Sequence, residues 1–241
     1  MLVIPLHDDN PTHRFPAVTV ALIVANAAVF VVQLLLPRWG VTLEGWYYLF
    51  GARPFELTRH VDLPPFVWFP WWATLVTSPF VHGGWLHLIF NLWYLWIFGN
   101  NVEDAMTRPR FGAFYLACGL VATGAQVLAA PASEVPIVGA SGAIAGVLGA
   151  YLVLHPRARV LTVVPLLIVW PVFEVPAWVL LVVWFVLQGV GGAQSYGSGQ
   201  AGVAFFAHIG GFVAGMALVW VFVPRRSRRR TGRATRSGRR V

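Results

Sequence analysis

Residues 17–36 read AVTVALIVANAAVFVVQLLL, with no charged side chain among them. An α-helix rises 1.5 Å per residue, so such a run is about 30 Å long, the thickness of a bilayer's hydrocarbon core. The apolar core of a cleaved signal is only about 7–15 residues, so the run reads as a first membrane span. The rest of the chain agrees. Of its 241 residues 58% are hydrophobic and 11% charged, against about 25% charged in soluble domains. The sequence therefore reads as an integral membrane protein.

Further apolar runs lie at about 80–102, 111–130, 139–154, 172–190 and 201–223, giving six spans. The first two are joined by a long aromatic connection from Pro37 to Phe80. Trp and Tyr favour the membrane–water boundary, so this first loop is expected to lie at the interface. Residues 160–190 are apolar but carry Pro165, Pro171, Glu174 and Pro176. Split into two spans, they would give roughly 14–15 residues each, too few for a bilayer. One span near 172–190, preceded by an interfacial or re-entrant piece, is expected.

Arginine placement tests the count. All 17 basic residues are Arg, and nine fall between Arg225 and Arg240. Six spans put 14 Arg on the side of the termini and only Arg38, Arg53 and Arg59 on the other. The positive-inside rule then places both termini in the cytoplasm of a cell-membrane protein. The expected fold is all-α and polytopic, a six-helix bundle over residues 17–223. Residues 1–16 form a cytoplasmic N-terminal segment and 224–241 an Arg-rich cytoplasmic tail expected to be disordered. The net charge of +8 is mostly a property of that tail. Because the tail directly follows a membrane segment, it reads as a topology and lipid-headgroup element, with no nucleic-acid partner. Cys118 is the one cysteine, so no internal disulfide or multi-cysteine metal site is open to the chain; it reads as a small core residue.

Polar groups inside spans are costly and each needs a reason. Four stand out: His87, Asn91, Ser141 and His208. His87 and Asn91, in HGGWLHLIFN (82–91), are four apart and share a helix face. Ser141 lies in IVGASGAIAG (137–146), and His208 in AHIGGFVAG (207–215). Taken singly, each could be polar glue or a packing residue. The spacings Gly142–Gly146 and Gly211–Gly215 both fit a close helix approach, which would bring Ser141 and His208 within hydrogen-bond reach. With six spans, the second, fourth and sixth all enter from the outer side, so the four groups fall at similar depth, between the outer surface and the midplane.

A serine hydroxyl needs a neighbouring base to become a nucleophile, and a neutral imidazole can serve. No Asp or Glu lies in the outer halves of these three segments, which leaves a Ser141–His208 dyad. Acyl transfer also needs donors for the oxyanion. Asn91 offers an amide N–H, His87 a ring N–H, and Ser141 its backbone N–H at a helix start.

Together, HGGWLHLIFN, GASG and AHIGGFVAG resemble the rhomboid family of intramembrane serine proteases, in its bacterial six-helix form, in order and in span assignment. The resemblance covers about residues 17–223. It implies that Ser141 is the nucleophile, His208 the general base, and His87 and Asn91 oxyanion donors, with His82 an outer structural histidine. It implies cleavage of single-span transmembrane protein substrates near their outer ends, with no metal or organic cofactor. Two family features differ. WWATLVTS (71–78) has no Arg where many members carry a Trp-Arg pair, and Ala145 stands where some place a Tyr stacked on the catalytic histidine. The glycine-rich GVGGAQSYGSGQAG (189–202) reads, with this resemblance, as a mobile cap over the outer mouth. A catalytically inactive client-binding relative is the alternative. A transporter is disfavoured, because no inverted repeat is visible and few charges lie within spans. The sequence names neither the natural substrate nor the oligomeric state.

Overall fold

In the computed structural model, which describes residues 4–65, 67–164, 170–195 and 203–224, the chain runs β1 (Ile4–Asp8), α1 (Ala17–Leu35), α2 (Leu43–Phe50), α3 (Pro54–Arg59), α4 (Thr74–Thr77), α5 (Trp85–Ala105), α6 (Arg108–Ala129), α7 (Ser141–Leu154), β2 (Arg159–Val163), β3 (Val172–Pro176), α8 (Ala177–Ser195) and α9 (Phe205–Phe222). Four of these helices are long and apolar enough to cross a membrane: α1 with the turn that continues it to Trp39, α6, α8 and α9. The 14-residue α7 is apolar but shorter, and the 21-residue α5 carries Glu103 and Asp104 in its last turns.

The bundle encloses an apolar core that includes Leu95, Phe98, Phe111, Leu148 and Phe212, but α1 turns polar residues inward as well. The buried residues of α1 are Thr19, Asn26, Phe30 and Gln33, while Val24, Val31, Val32 and Leu34 are exposed. Lipid solvates apolar side chains as well as a protein core does, so the polar residues turn inward to find partners. At one end of α1, Glu103 of α5 accepts hydrogen bonds from the backbone N–H groups of Val18 and Thr19 at 3.0 and 2.8 Å, and from the Thr19 hydroxyl. A carboxylate there satisfies free N–H groups and complements the helix dipole. At the other end, Gln33 Nε2 donates to the His82 carbonyl at 2.6 Å and Gln33 Oε1 accepts from the His82 N–H at 3.3 Å. The turn that starts α5 is held by that amide.

Helix α7 sits at the centre, with all its residues buried from Gly142 to Tyr151. It is surrounded by α5, α6 and α9. Its small residues allow this. A Cβ added to Gly215 would collide with the Gly146 carbonyl, one on Gly211 with the Gly142 carbonyl, and one on Gly146 with Cys118 of α6. The backbone approach of α7 and α9 expected from the paired glycine spacings is present, and Cys118 is fully buried, as expected of a small core residue.

The all-α expectation needs correction. A three-stranded antiparallel sheet in the order β1-β2-β3 joins the helices. The segment expected to be interfacial or re-entrant supplies β2, and the first five residues of the span expected at 172–190 supply β3, paired from Arg159↔Pro176 to Val163↔Val172; residues 165–169 between them lie outside the described residues. The fifth apolar run begins its helix at Ala177, not 172. The reason is local: RVLTV and VFEVP are rich in β-branched residues, and Pro171 and Pro176 oppose a helix over 172–176. Strand β1 comes from residues 1–16, the segment expected to be a cytoplasmic N-terminal stretch outside the bundle. It pairs with β2, with a register shift between Pro5 and His7.

Buried Asp8 stitches this sheet to the helices. Its Oδ2 accepts from Tyr151 Oη of α7 at 2.5 Å and from Asn101 Nδ2 of α5 at 2.8 Å. Trp93 Nε1 of α5 donates to the Pro5 carbonyl at 2.6 Å. Burial raises the Asp8 carboxyl above its ordinary range, outweighing the opposing effect of the Tyr151 hydrogen bond. Asp8→Ala leaves the buried Tyr151 hydroxyl without an acceptor, a loss of about 1–3 kcal/mol, and takes one of two acceptors from Asn101 Nδ2, which keeps Asn100 Oδ1. Its thermal midpoint in detergent is expected to fall by several degrees. Asp8→Asn keeps an acceptor and removes the poorly solvated charge, so it is expected to match or exceed wild type at neutral pH. A midpoint unchanged in Asp8→Ala would dismiss the stitch.

Candidate active site

Ser141 is the first residue of α7. The segment leading to it is braced by the first loop. Ala52 and Ile137 exchange backbone hydrogen bonds at 3.0 and 2.9 Å, and the Phe55 N–H donates to the Ser133 carbonyl at 2.9 Å. The brace rests on a buried ion pair between Arg53 and Glu56, with the Arg53 guanidinium 5.6 Å from the Tyr48 ring centroid. Anchoring of this loop, which the missing Trp-Arg pair left unexplained, comes from Arg53 and Glu56.

Gly139 then turns the chain with φ +106°, and its N–H donates to the Ser78 carbonyl at 2.9 Å. That φ is disfavoured for any residue with a side chain. The missing side chain also makes room. An ideal Cβ on Gly139 would lie 2.6 Å from His87 Cε1 and Nε2 and 3.7 Å from Asn91 Nδ2. His87 and Asn91 therefore converge on the backbone two residues before Ser141. Asn91 Nδ2 donates to the His87 carbonyl at 2.9 Å. The Gly83 N–H donates to His87 Nδ1 at 3.3 Å, which leaves the His87 proton on Nε2, the atom turned toward Gly139. His82 packs edge-on against His87, with ring centroids 5.1 Å apart, and is fully buried.

His208 lies one turn into α9, and its Nε2 is 2.8 Å from Ser141 Oγ. Its other ring nitrogen, Nδ1, is 2.8 Å from Gln188 Oε1 of α8. The Trp184 ring, also on α8, lies 5.9 Å from the His208 ring at 36°. Trp184 and Gln188 are four apart and so share the face of α8 turned to the histidine. These are the contacts that hold His208 where Ala145 offers nothing to stack on. Both were missed in the sequence, although Gln188 carried a signal: it is the lone amide between Ala177 and Gly191 in an otherwise apolar helix.

A cavity of about 20 Å³ opens beside Ser141, lined by Gly119, Ala122, Thr123, Gly142 and Ala207 among others. It holds a methyl-sized group or one water. The structure thus brings Ser141 and His208 into hydrogen-bond contact and sets His87 and Asn91 against Gly139. The glycine-rich segment expected to cap the site is helical to Ser195; its remainder, 196–202, lies outside the described residues, as does the Arg-rich tail from 225 onward.

Residues 70–225 match the Rhomboid domain family model. The chain is similar to Rhomboid protein 1, mitochondrial, of Saccharomyces cerevisiae, 30% identical over 172 residues, which is 69% of this chain and 46% of the yeast protein. It is similar to Rhomboid-like protein 11, chloroplastic, of Arabidopsis thaliana, 30% identical over 64% of this chain and 53% of that one. It is 43% identical over 82 residues to Rhomboid protease GluP of Bacillus subtilis, covering 34% of this chain and 15% of GluP. The chain thus spans about half the length of the first two relatives.

Proposed function

The chain belongs to the rhomboid family, and from that premise we propose that it is an intramembrane serine endopeptidase working through Ser141 and His208. The observation that carries the reading is the 2.8 Å contact between His208 Nε2 and Ser141 Oγ. His208 takes the hydroxyl proton as Ser141 Oγ attacks the carbonyl carbon of a peptide bond. The oxyanion is received by Asn91 Nδ2–H, His87 Nε2–H and the free N–H of Ser141 at the start of α7. The tetrahedral intermediate collapses as His208 passes the proton to the leaving amine. Water, deprotonated by His208, then releases the acyl group and restores the serine.

The substrates are single-span membrane proteins, cut near the outer end of their span. A helical residue hides its carbonyl in a hydrogen bond, so Gly, Pro or other helix-weakening residues near the cut favour cleavage. The cavity beside Ser141 suits a small residue before the cut. The bundle crosses the cell membrane six times, α5 and α7 adding to the four long apolar helices. The termini are cytoplasmic, the site opens to the other side, and the aromatic first loop lies at the interface.

The test is co-expression with a tagged single-span reporter whose outer end is helix-weakened. Wild type is expected to cleave it, and Ser141→Ala to leave it intact. Equal processing by both would remove the dyad. Asn91→Ala, which deletes one oxyanion donor, is expected to lower kcat about 100-fold with KM within a few-fold. A loss confined to KM would reassign Asn91 to binding.

A further inference from the structure

Nothing in the dyad itself says which ring nitrogen of His208 carries the proton. A neutral imidazole has one N–H and one lone pair, and only the tautomer protonated at Nδ1 presents its lone pair to Ser141 Oγ. In the other tautomer Nε2 donates to the serine and cannot accept its proton. The two lie close in free energy, so a base needs something at Nδ1 to select between them.

We infer that Gln188 is a positioning residue that sets the tautomer and ring orientation of His208 by accepting its Nδ1–H. This rests on the proposed role of His208 as base. Gln188 Oε1 is 2.8 Å from Nδ1 while Nε2 of the same ring is 2.8 Å from Ser141 Oγ. The ring is thus held at both nitrogens along one line from α8 through α9 to α7. Trp184, one turn earlier on α8, lies against the ring face and limits its rotation. A neutral amide does here what a carboxylate does in a three-residue serine protease site. It orients the imidazole but brings no charge to it, so His208 need not share a poorly solvated region with an anion.

The amide has two ends, and the contrast between them supplies the test. An acceptor at residue 188 selects the productive tautomer, whereas a donor there selects the idle one. A carboxylate can only accept. Gln188→Glu therefore preserves the orienting bond, Gln188→Leu removes it, and Gln194→Leu, at an exposed position on the same helix, controls for a changed helix surface. Each purified full-length variant is assayed in detergent for reporter cleavage from pH 5 to 9 and for the rate of Ser141 labelling by a fluorophosphonate.

Gln188→Leu is expected to lower kcat and the labelling rate together, by at least roughly 10–100-fold, the loss found when the outer partner of a metal-bound histidine is removed, with KM within a few-fold. Gln188→Glu is expected to restore kcat to within several-fold of wild type. The acid limb of its pH–rate profile is expected to move to higher pH, because a carboxylate beside the ring favours the protonated imidazole that cannot act as base. Gln194→Leu should match wild type. A Gln188→Leu variant as active as wild type overturns the inference, as does a Gln188→Glu variant no better than Gln188→Leu or with an unmoved acid limb. A wild-type chain that neither cleaves nor labels overturns the protease reading and this inference with it.

Discussion

Ser141→Ala, His208→Ala and the double variant are expected to lose cleavage by the same large factor, about 1,000-fold or more. Equality is the informative part. Residues that act independently multiply their losses, whereas a nucleophile and its base act as one unit, so once either is gone the other contributes nothing more. The 2.8 Å contact between His208 Nε2 and Ser141 Oγ supports such a unit. Either change removes the Ser141–His208 contact but leaves the close backbone approaches of the α7–α9 crossing, at Gly142, Gly146, Gly149, Gly211 and Gly215, intact. All three variants should therefore keep the wild-type thermal midpoint and still bind a reporter. Covalent labelling by a fluorophosphonate should vanish in Ser141→Ala and fall steeply in His208→Ala. If His208→Ala kept most of the activity, the base would have to be sought elsewhere; if the double variant fell far below both single variants, the two residues would be acting separately.

The parts of this site that were legible in the sequence share a physical cause. Inside a membrane a polar side chain is expensive, so His87, Asn91, Ser141 and His208 stood out against apolar runs. The glycine spacings that make the α7–α9 crossing are readable because a helix repeats every 3.6 residues and close approach tolerates only small side chains. Other parts were hidden for equally definite reasons. The strands β2 and β3 come from stretches of five residues each, RVLTV and VFEVP, too short for periodicity to separate strand from helix. Strand β1 is set by partners about 90 and 140 residues away, Asn101 and Tyr151, which no local pattern encodes. Gln188 was visible as a lone amide, but its partner depends on how α8 leans on α9. The Arg53–Glu56 pair is only three apart in sequence, yet its value lies in bracing Ala52 against Ile137 across the chain.

The two glycines of the GASG stretch are expected to respond in opposite ways, and Gly139→Ala is expected to be the more damaging. A side chain at φ +106° costs on the order of 1–3 kcal/mol. Its Cβ would also stand 2.6 Å from two atoms of the His87 ring, a separation that no relaxed contact allows. Relief comes only by swinging His87 away or by shifting the turn that carries Ser141. Either movement separates the proposed oxyanion donors, His87 and Asn91, from the carbon they would serve, so kcat should fall about 100–1,000-fold, as when an oxyanion donor is lost. Gly142→Ala meets a different neighbour, Ala122 Cβ of α6 at 2.7 Å. Here helix α6 must move, and because Gly142 and Ala122 both line the cavity beside Ser141 the expected losses are in thermal midpoint and in KM, with kcat within a few-fold of wild type. A double variant decides whether the His87 clash is the cause. Once Gly139→Ala has displaced the ring, adding His87→Ala should cost much less than His87→Ala costs alone. Full additivity would mean that the new methyl acts on the backbone turn and not through His87, and near-normal kcat in Gly139→Ala would end the claim that this glycine clears the space for the oxyanion.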